Sequence, residues 1–247
     1  MVRAHVVMSV VLVGASFAHP AFAGEPAPRE APSGEPAPAE PPSSDDLREV
    51  ERLHAESQDR RRTLATAVLV GGATSVVGGA LLMVPDGDDQ AWRFAGFNTV
   101  IFGAIDAVIG GLSLRDVAKA DEAWNAPAAA AARRTRAGLS RTHAAALADA
   151  RKESVAYAVN LGLDGAYLSV ATMAVVVSRL GVSHPDRWFA SGVAIGVQSL
   201  FLVAVDVVGI TNAGRTHAGH VHALVPQVAV VPTASGTDAY VGIRAAF

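Results

Sequence analysis

Four apolar stretches, about 63–84, 94–114, 154–178 and 188–210, leave this chain few ways to fold. Each exceeds the roughly 20 residues a helix needs to cross a hydrocarbon core. None contains lysine or arginine, yet three aspartates lie inside them: Asp106, Asp164 and Asp206. Hydrocarbon offers no partner to backbone or side-chain polar groups. Such stretches must therefore be helices whose polar side chains turn toward one another. Charged residues make up 17% of the chain, against about 25% in soluble domains, and they gather between the stretches. The predicted fold is all-α: a bundle of four transmembrane helices over about 45–212.

The connections set the pairing. Those at about 85–93 and 179–187 are short, so each joins an antiparallel helical hairpin. Trp92, Arg93, Arg187 and Trp188 stand where interfacial anchors belong. The middle connection, about 115–153, is long, polar and basic. It holds an alanine-rich run, Ala128–Ala132, and a predicted helix from Ser140 leading into the third stretch. Gly71, Gly72, Gly78 and Gly79 in the first stretch would weaken a helix in water, but they permit close helix packing in a bilayer.

The ends read differently. Arg3, the short apolar run Val6–Ala18 and Ala21-Phe22-Ala23 before Gly24 have the three parts of a secretory signal over residues 1–23. Residues 24–44 are dominated by Pro, Ala, Glu and Gly and read as a disordered tether. Ser43 and Asp46 have capping-box spacing and open a charged helix at about 45–62 that runs into the first stretch. In the tail, 213–247, Val228–Val231 and Ala239–Ile243 read as strands of a short β-hairpin turning over Thr233–Asp238.

The polar residues of the apolar stretches carry whatever chemistry there is. Counted from the middle connection at about 1.5 Å per residue, Asp106, Asp164 and Asp206 fall at roughly the same depth, 14–18 Å. Asn160 and Asp164 are four apart and share a helix face, whereas Asn98 and Gln198 lie deeper. Offset by 100 residues, Gly96 aligns with Gly196, Asn98 with Gln198, Asp106 with Asp206 and Arg115 with Arg215. Offset by 90, Gly72 aligns with Gly162 and Thr74 with Asp164, a weaker match. The bundle therefore reads as two related hairpins in parallel orientation. Asn98, Asp106, Asn160, Asp164, Gln198 and Asp206 form the expected buried layer, with Tyr157, Tyr167, Ser169, Thr172 and Ser199 as further cross-bundle partners. Such a layer is either a hydrogen-bonded clamp or an ion-handling site. The clamp is the plainer expectation.

Other motifs carry less. His217, His220 and His222 are weak metal candidates, since no cysteine and no fixed further ligand accompany them. A solvated interfacial cluster is the simpler reading. His54 and His143 fall in polar helices and are expected to be exposed. Arg60–Arg62 and Arg133, Arg134 and Arg136 are basic clusters beside membrane ends, suited to lipid headgroups. The absence of cysteine excludes disulfides and thiolate chemistry. The net charge of −3 gives no field for nucleic acid. The glycine pairs are followed by no Gly-Lys-Ser/Thr, and no nucleophile constellation is present.

Orientation is contested within the sequence. A signal peptide would place the tether, the middle connection and the tail outside the cytoplasm. The middle connection nonetheless carries Arg115, Lys119, Arg133, Arg134, Arg136, Arg141, Arg151 and Lys152, which the positive-inside rule assigns to the cytoplasm. The signal peptide and the tether behind it agree with each other, and the expected orientation follows them.

The run Asn160-Leu161-Gly162-Leu163-Asp164-Gly165-Ala166-Tyr167, with Gln198, Phe201-Leu202 and Asp206 following, resembles a family of uncharacterised four-helix bacterial integral membrane proteins. In that family an Asn-x-Gly-Leu-Asp-x-x-Tyr pattern marks the third helix and Gln-x-x-Phe-Leu-x-x-x-Asp the fourth. The likeness covers about 45–212. It departs in the first helix, where Val70–Thr74 stand in place of an expected Trp and Asn. The resemblance implies the architecture and the polar positions, and it brings no activity.

The expected protein is thus a non-enzymatic integral membrane protein of the bacterial envelope, placed in the inner membrane, with a structural or interaction role and no cofactor. The alternative is a proton- or cation-handling transporter or channel component acting as an oligomer. The partners expected are the lipid bilayer, further copies of the chain and an envelope protein.

Overall fold

The computed structural model describes residues 41–84, 90–224, 228–233 and 236–241. The expected signal peptide and all but the last residues of the tether lie outside the described residues. Among these there are five helices: α1 (Ser44–Leu82), α2 (Gln90–Asn125), α3 (Pro127–Arg133), α4 (Arg136–Val177) and α5 (Pro185–Leu224). Strands β1 (Val228–Thr233) and β2 (Gly236–Val241) follow, paired antiparallel with Val228 opposite Val241 and Thr233 opposite Gly236. β1 and β2 take in Thr233 and Gly236–Asp238, which the sequence assigns to the turn, and the expected strand end at Ile243 lies outside the described residues.

Local chemistry explains the helix starts. The Ser43–Asp46 capping box forms in both directions, with Asp46 N–H donating to Ser43 Oγ and Ser43 N–H to Asp46 Oδ2, each at 3.1 Å. Thr135 Oγ1 accepts from Gly138 N–H at 3.0 Å and opens α4. Proline begins both α3 and α5, where its missing N–H costs nothing. Between α4 and α5 the chain reverses through two residues in the left-handed region, Gly181 (φ 70°) and His184 (φ 57°).

α1, α2, α4 and α5 are each long and apolar enough to cross a membrane. They are also much longer than a membrane requires. α2 continues past the apolar stretch to Asn125, α4 begins at Arg136 and α5 runs on to Leu224. The middle connection, expected to hold a helix from Ser140, is therefore nearly all helix. Its alanines and alternating charges favour helix, and the partner helices extend alongside it. The molecule consequently has an apolar half and a polar half built on the same four rods.

Two hairpins, α1–α2 and α4–α5, pack together mainly through α2 against α5, with α1 also touching α5. α1 and α2 meet backbone to backbone. A Cβ on Gly79 would lie 2.6 Å from the Gly96 carbonyl oxygen, and one on Gly72 would lie 2.6 Å from that of Gly103. Gly72 and Gly79 are seven residues apart, as are Gly96, Gly103 and Gly110, so one seam of each helix has no side chain. In α4–α5 the close approach is local: Gly192 lies against the Ala171 carbonyl, and Gly209 receives the ring of Tyr157. Large apolar residues face outward, including Val77 at 60%, Met173 at 67% and Val197 at 64% exposure.

Candidate functional site: a carboxyl-lined cleft between the hairpins

The hairpins do not close on all sides. α2 and α4 stand apart, and a cleft of about 480 Å³ lies between them, floored by α1 and α5. Asp106, Asp164 and Asp206 all line it, together with Gln198, Tyr157 and Tyr167. The three aspartates and Gln198 are buried. The structure brings these four residues of the expected layer to one cleft. Asn160 lines the cleft but is exposed at its mouth, because α2 does not come across to cover that face of α4. Asn98 is half-buried and lies outside the cleft lining.

One set of contacts binds the hairpins together. Gln198 Nε2 on α5 donates to Asp106 Oδ2 on α2, and Ser75 Oγ on α1 donates to Gln198 Oε1 at 3.2 Å. Three helices thus share one side-chain amide. The internal repeat marks Thr74 rather than Ser75, and Thr74 is exposed. The useful signal was Ser75's spacing of three from Gly72, which places it beside the glycine seam.

The second set is different. Asp164 on α4 and Asp206 on α5 line the cleft from neighbouring helices. Asp206 is only 4% exposed, and its Oδ2 has no hydrogen-bond partner among the described residues. The hydroxyls expected to help across the bundle bond within their own helices instead: Ser169 to the Gly165 carbonyl, Thr172 to that of Leu168 and Ser199 to that of Ile195. A hydroxyl four residues on from a helix carbonyl reaches it more easily than it reaches a neighbouring helix.

The cleft has two ends. At the deep end Phe102 and Tyr167 meet edge-on across α2 and α4, centroids 6.1 Å apart. At the polar end Arg61 on α1 pairs with Glu153 on α4 at 2.7 Å. Partial burial pushes the Glu153 carboxyl up from its usual range, while Arg61 opposes that shift.

The polar half holds a second cluster that the sequence reading placed in solvent. His143 on α4 and His220 on α5 are buried, with their Nδ1 atoms 2.9 Å apart. His217 and His222 are exposed, so the three tail histidines do not form one cluster. Among the described residues no three His, Asp or Glu side chains come together to hold a metal. The correction has a simple cause: α5 continues to Leu224, and the helical period turns His220 inward and its two neighbours outward. His54 is half-buried, stacked on Trp124 at 3.7 Å with an interplanar angle of 4°. Arg133 lies 3.9 Å from the centre of the same indole. Asp121 faces both His54 (3.5 Å) and Arg62 (2.8 Å). Burial holds the His54 and His143 rings below their usual pKa. Burial, then the neighbouring His143, brings His220 down to about 4.

No curated protein matches this chain, and no solved structure does. A profile of a protein family of unknown function matches residues 67–207, more than half of the chain and all three cleft aspartates. It begins within the apolar part of α1 and ends one residue after Asp206, inside the 45–212 span of the resemblance read from the sequence. The chain belongs to the family of unknown function DUF6992.

Proposed function

We propose that this is a non-enzymatic integral membrane protein of the bacterial envelope, placed in the inner membrane, with a structural or interaction role. Its tether would lie outside the cytoplasm. The observation that carries the reading is the Ser75–Gln198–Asp106 chain, which ties α1, α5 and α2 through one buried amide. Polar contacts between helices in lipid are individually worth only about 0.6–2 kcal/mol, so this one orients packed hairpins rather than driving their assembly. The outward display of Val77, Met173 and Val197 supports lipid as the surrounding solvent. The test is Gln198→Leu beside Asp106→Asn, each carried by a protein cross-linked through cysteines at Ala95 and Ala190, which share one buried cluster. The amide loss should weaken cross-linking and the neutral isostere should largely keep it. Equal cross-linking in both would remove the clamp. Orientation is tested by single cysteines at Ala130 and Ser235, labelled in intact cells with an impermeant reagent; labelling at both supports the outside placement.

A second reading, handling of protons or cations by an oligomer, is favoured by one feature: the unpartnered Asp206 Oδ2 at the cleft. Its test is flux in proteoliposomes. Asp106→Asn, Asp164→Asn and Asp206→Asn should abolish it, and flux preserved in all three would end this reading.

A further inference from the structure

We propose that the cleft between α2 and α4 is a binding site for a lipophilic amine in its ammonium form, entering sideways from the bilayer. The assignment rests on the membrane placement proposed above and goes beyond it. The cleft is of a size that suits a small amphiphile, about 480 Å³. Its charged lining consists of five acids, Asp106, Asp116, Glu153, Asp164 and Asp206, against one base, Arg61. That base is engaged by Glu153. The site therefore complements a cation.

The unpartnered oxygen defines the kind of cation. Asp206 Oδ2 is buried and lacks a donor, so it calls for an N–H. An ammonium supplies three and can bridge Asp206 to Asp164, which lines the same cleft. A quaternary ammonium has no hydrogen to give. A zwitterionic phospholipid headgroup would bring its phosphate against the same acids. The body of the ligand must be apolar, because the mouth is formed by Ile105, Ile109 and Leu163, each about half exposed. Between the Arg61–Glu153 pair and the Phe102–Tyr167 contact the opening runs for roughly 21 Å at 1.5 Å per residue along α4. That accommodates an alkyl chain lying along the helices, its head beside the aspartates and the aromatic rings of Tyr157 and Tyr167.

The experiment uses the full chain in phosphatidylcholine nanodiscs, with radiolabelled dodecylamine and dodecanol as probes. The amine should bind saturably and about tenfold more tightly than the alcohol. Asp206→Asn should lose most of that preference while leaving alcohol uptake unchanged. Leu163→Trp, which narrows the mouth without touching an acid, should lower amine binding as well. Phosphatidylethanolamine in the disc should not compete. Equal binding of amine and alcohol, full amine binding by Asp206→Asn, or displacement by phosphatidylethanolamine would overturn the proposal. The Ala95–Ala190 cross-link, run on the same samples, separates the two levels. If it is intact and amine preference is absent, this site fails and the membrane reading stands. If wild type gives no cross-link, the hairpin packing on which both rest is wrong.

Discussion

The apolar and polar halves of this bundle are made from the same four helices and held together by different means. In the apolar half α1 and α2 touch through backbone, with Gly79 against Gly96 and Gly72 against Gly103, and a few polar atoms are concentrated on Asp106, Gln198 and Ser75. In the polar half the helices are kept apart by side chains. His54 lies on Trp124, His143 meets His220, and Leu53 presses on Gly219. Ion pairs such as Arg62–Asp121 lie around that core. In the membrane placement proposed above, lipid gives no hydrophobic reward for bringing two helices together, so close packing must supply the attraction. Water does give that reward, and it also screens charge, so the polar half can carry histidines and ion pairs that the apolar half could not.

Changes in the glycine seam should break this contrast most severely. Gly103→Leu puts a branched side chain into the Gly72 carbonyl and Ser75 Cβ, a strain on the order of 3 kcal/mol or more. Gly162→Leu, at a glycine with open space around it, should change stability by less than about 0.5 kcal/mol. Denaturant titration of the reconstituted protein compares them. Equal losses would mean the α1–α2 seam is not a close contact.

Acid should act on the polar half next. His143 and His220 both titrate below the ordinary histidine value of 6.5, because burial disfavours the charged ring. Asp46 and Glu49 on α1 pull His143 the other way, as Glu49 does His220. The unfolded chain therefore binds more protons than the folded one. The stability these rings allow is complete above about pH 6.5 and is lost as pH falls toward about 4, on the order of 3 kcal/mol for His220 alone. Unfolding midpoints measured from pH 7.5 down to 4 should drop steeply, and His220→Phe should flatten the slope. A pH-independent midpoint in wild type would show that the histidines are not buried together.

Gln198→Leu tests the apolar half's polar contact. It leaves the Asp106 carboxyl and the Ser75 hydroxyl without their shared partner and should cost about 1–3 kcal/mol by the same titration. Trp124→Ala removes the stacking surface for His54 and the ring beside Arg133, and should cost about 1 kcal/mol. Arg62→Ala loses only an exposed pair with Asp121 and should cost under about 1 kcal/mol. A Trp124 loss no larger than that of Arg62 would mean the polar half lacks a real core.

The sequence carried the apolar half well. Long runs without lysine or arginine can hardly be anything but helices. The Ser43–Asp46 box and the close packing at Gly72 and Gly79 were readable because each acts over a few residues, whereas Gly78, expected to pack closely too, has open space around it. The three aspartates that counting along rods sets at one depth line a single cleft. The polar half was less legible, since its contacts join distant positions: His143 meets His220 across 77 residues, and His54 meets Trp124. No local pattern marks such pairs. The cleft was hidden for a related reason. Periodicity shows which face of a helix is polar, but not which two of four helices stand apart, so Asn160 was assigned to the interior. The proposed repeat is uneven at the same level. Asp106 and Asp206 are both buried, whereas Gly96 contacts backbone and Gly196 has only ordinary van der Waals contact with Ala171.

The central claim is that the outer faces of the apolar half meet lipid while its aspartates face inward. The chain has no cysteine, so single nitroxide labels are clean. Labels at Val77, Met173 and Val197 in liposomes should collide often with dissolved oxygen and rarely with a water-soluble nickel chelate, and a label at Asp206 should show low oxygen collision. High nickel accessibility at the three outer positions, or an Asp206 label as oxygen-accessible as theirs, would contradict the account.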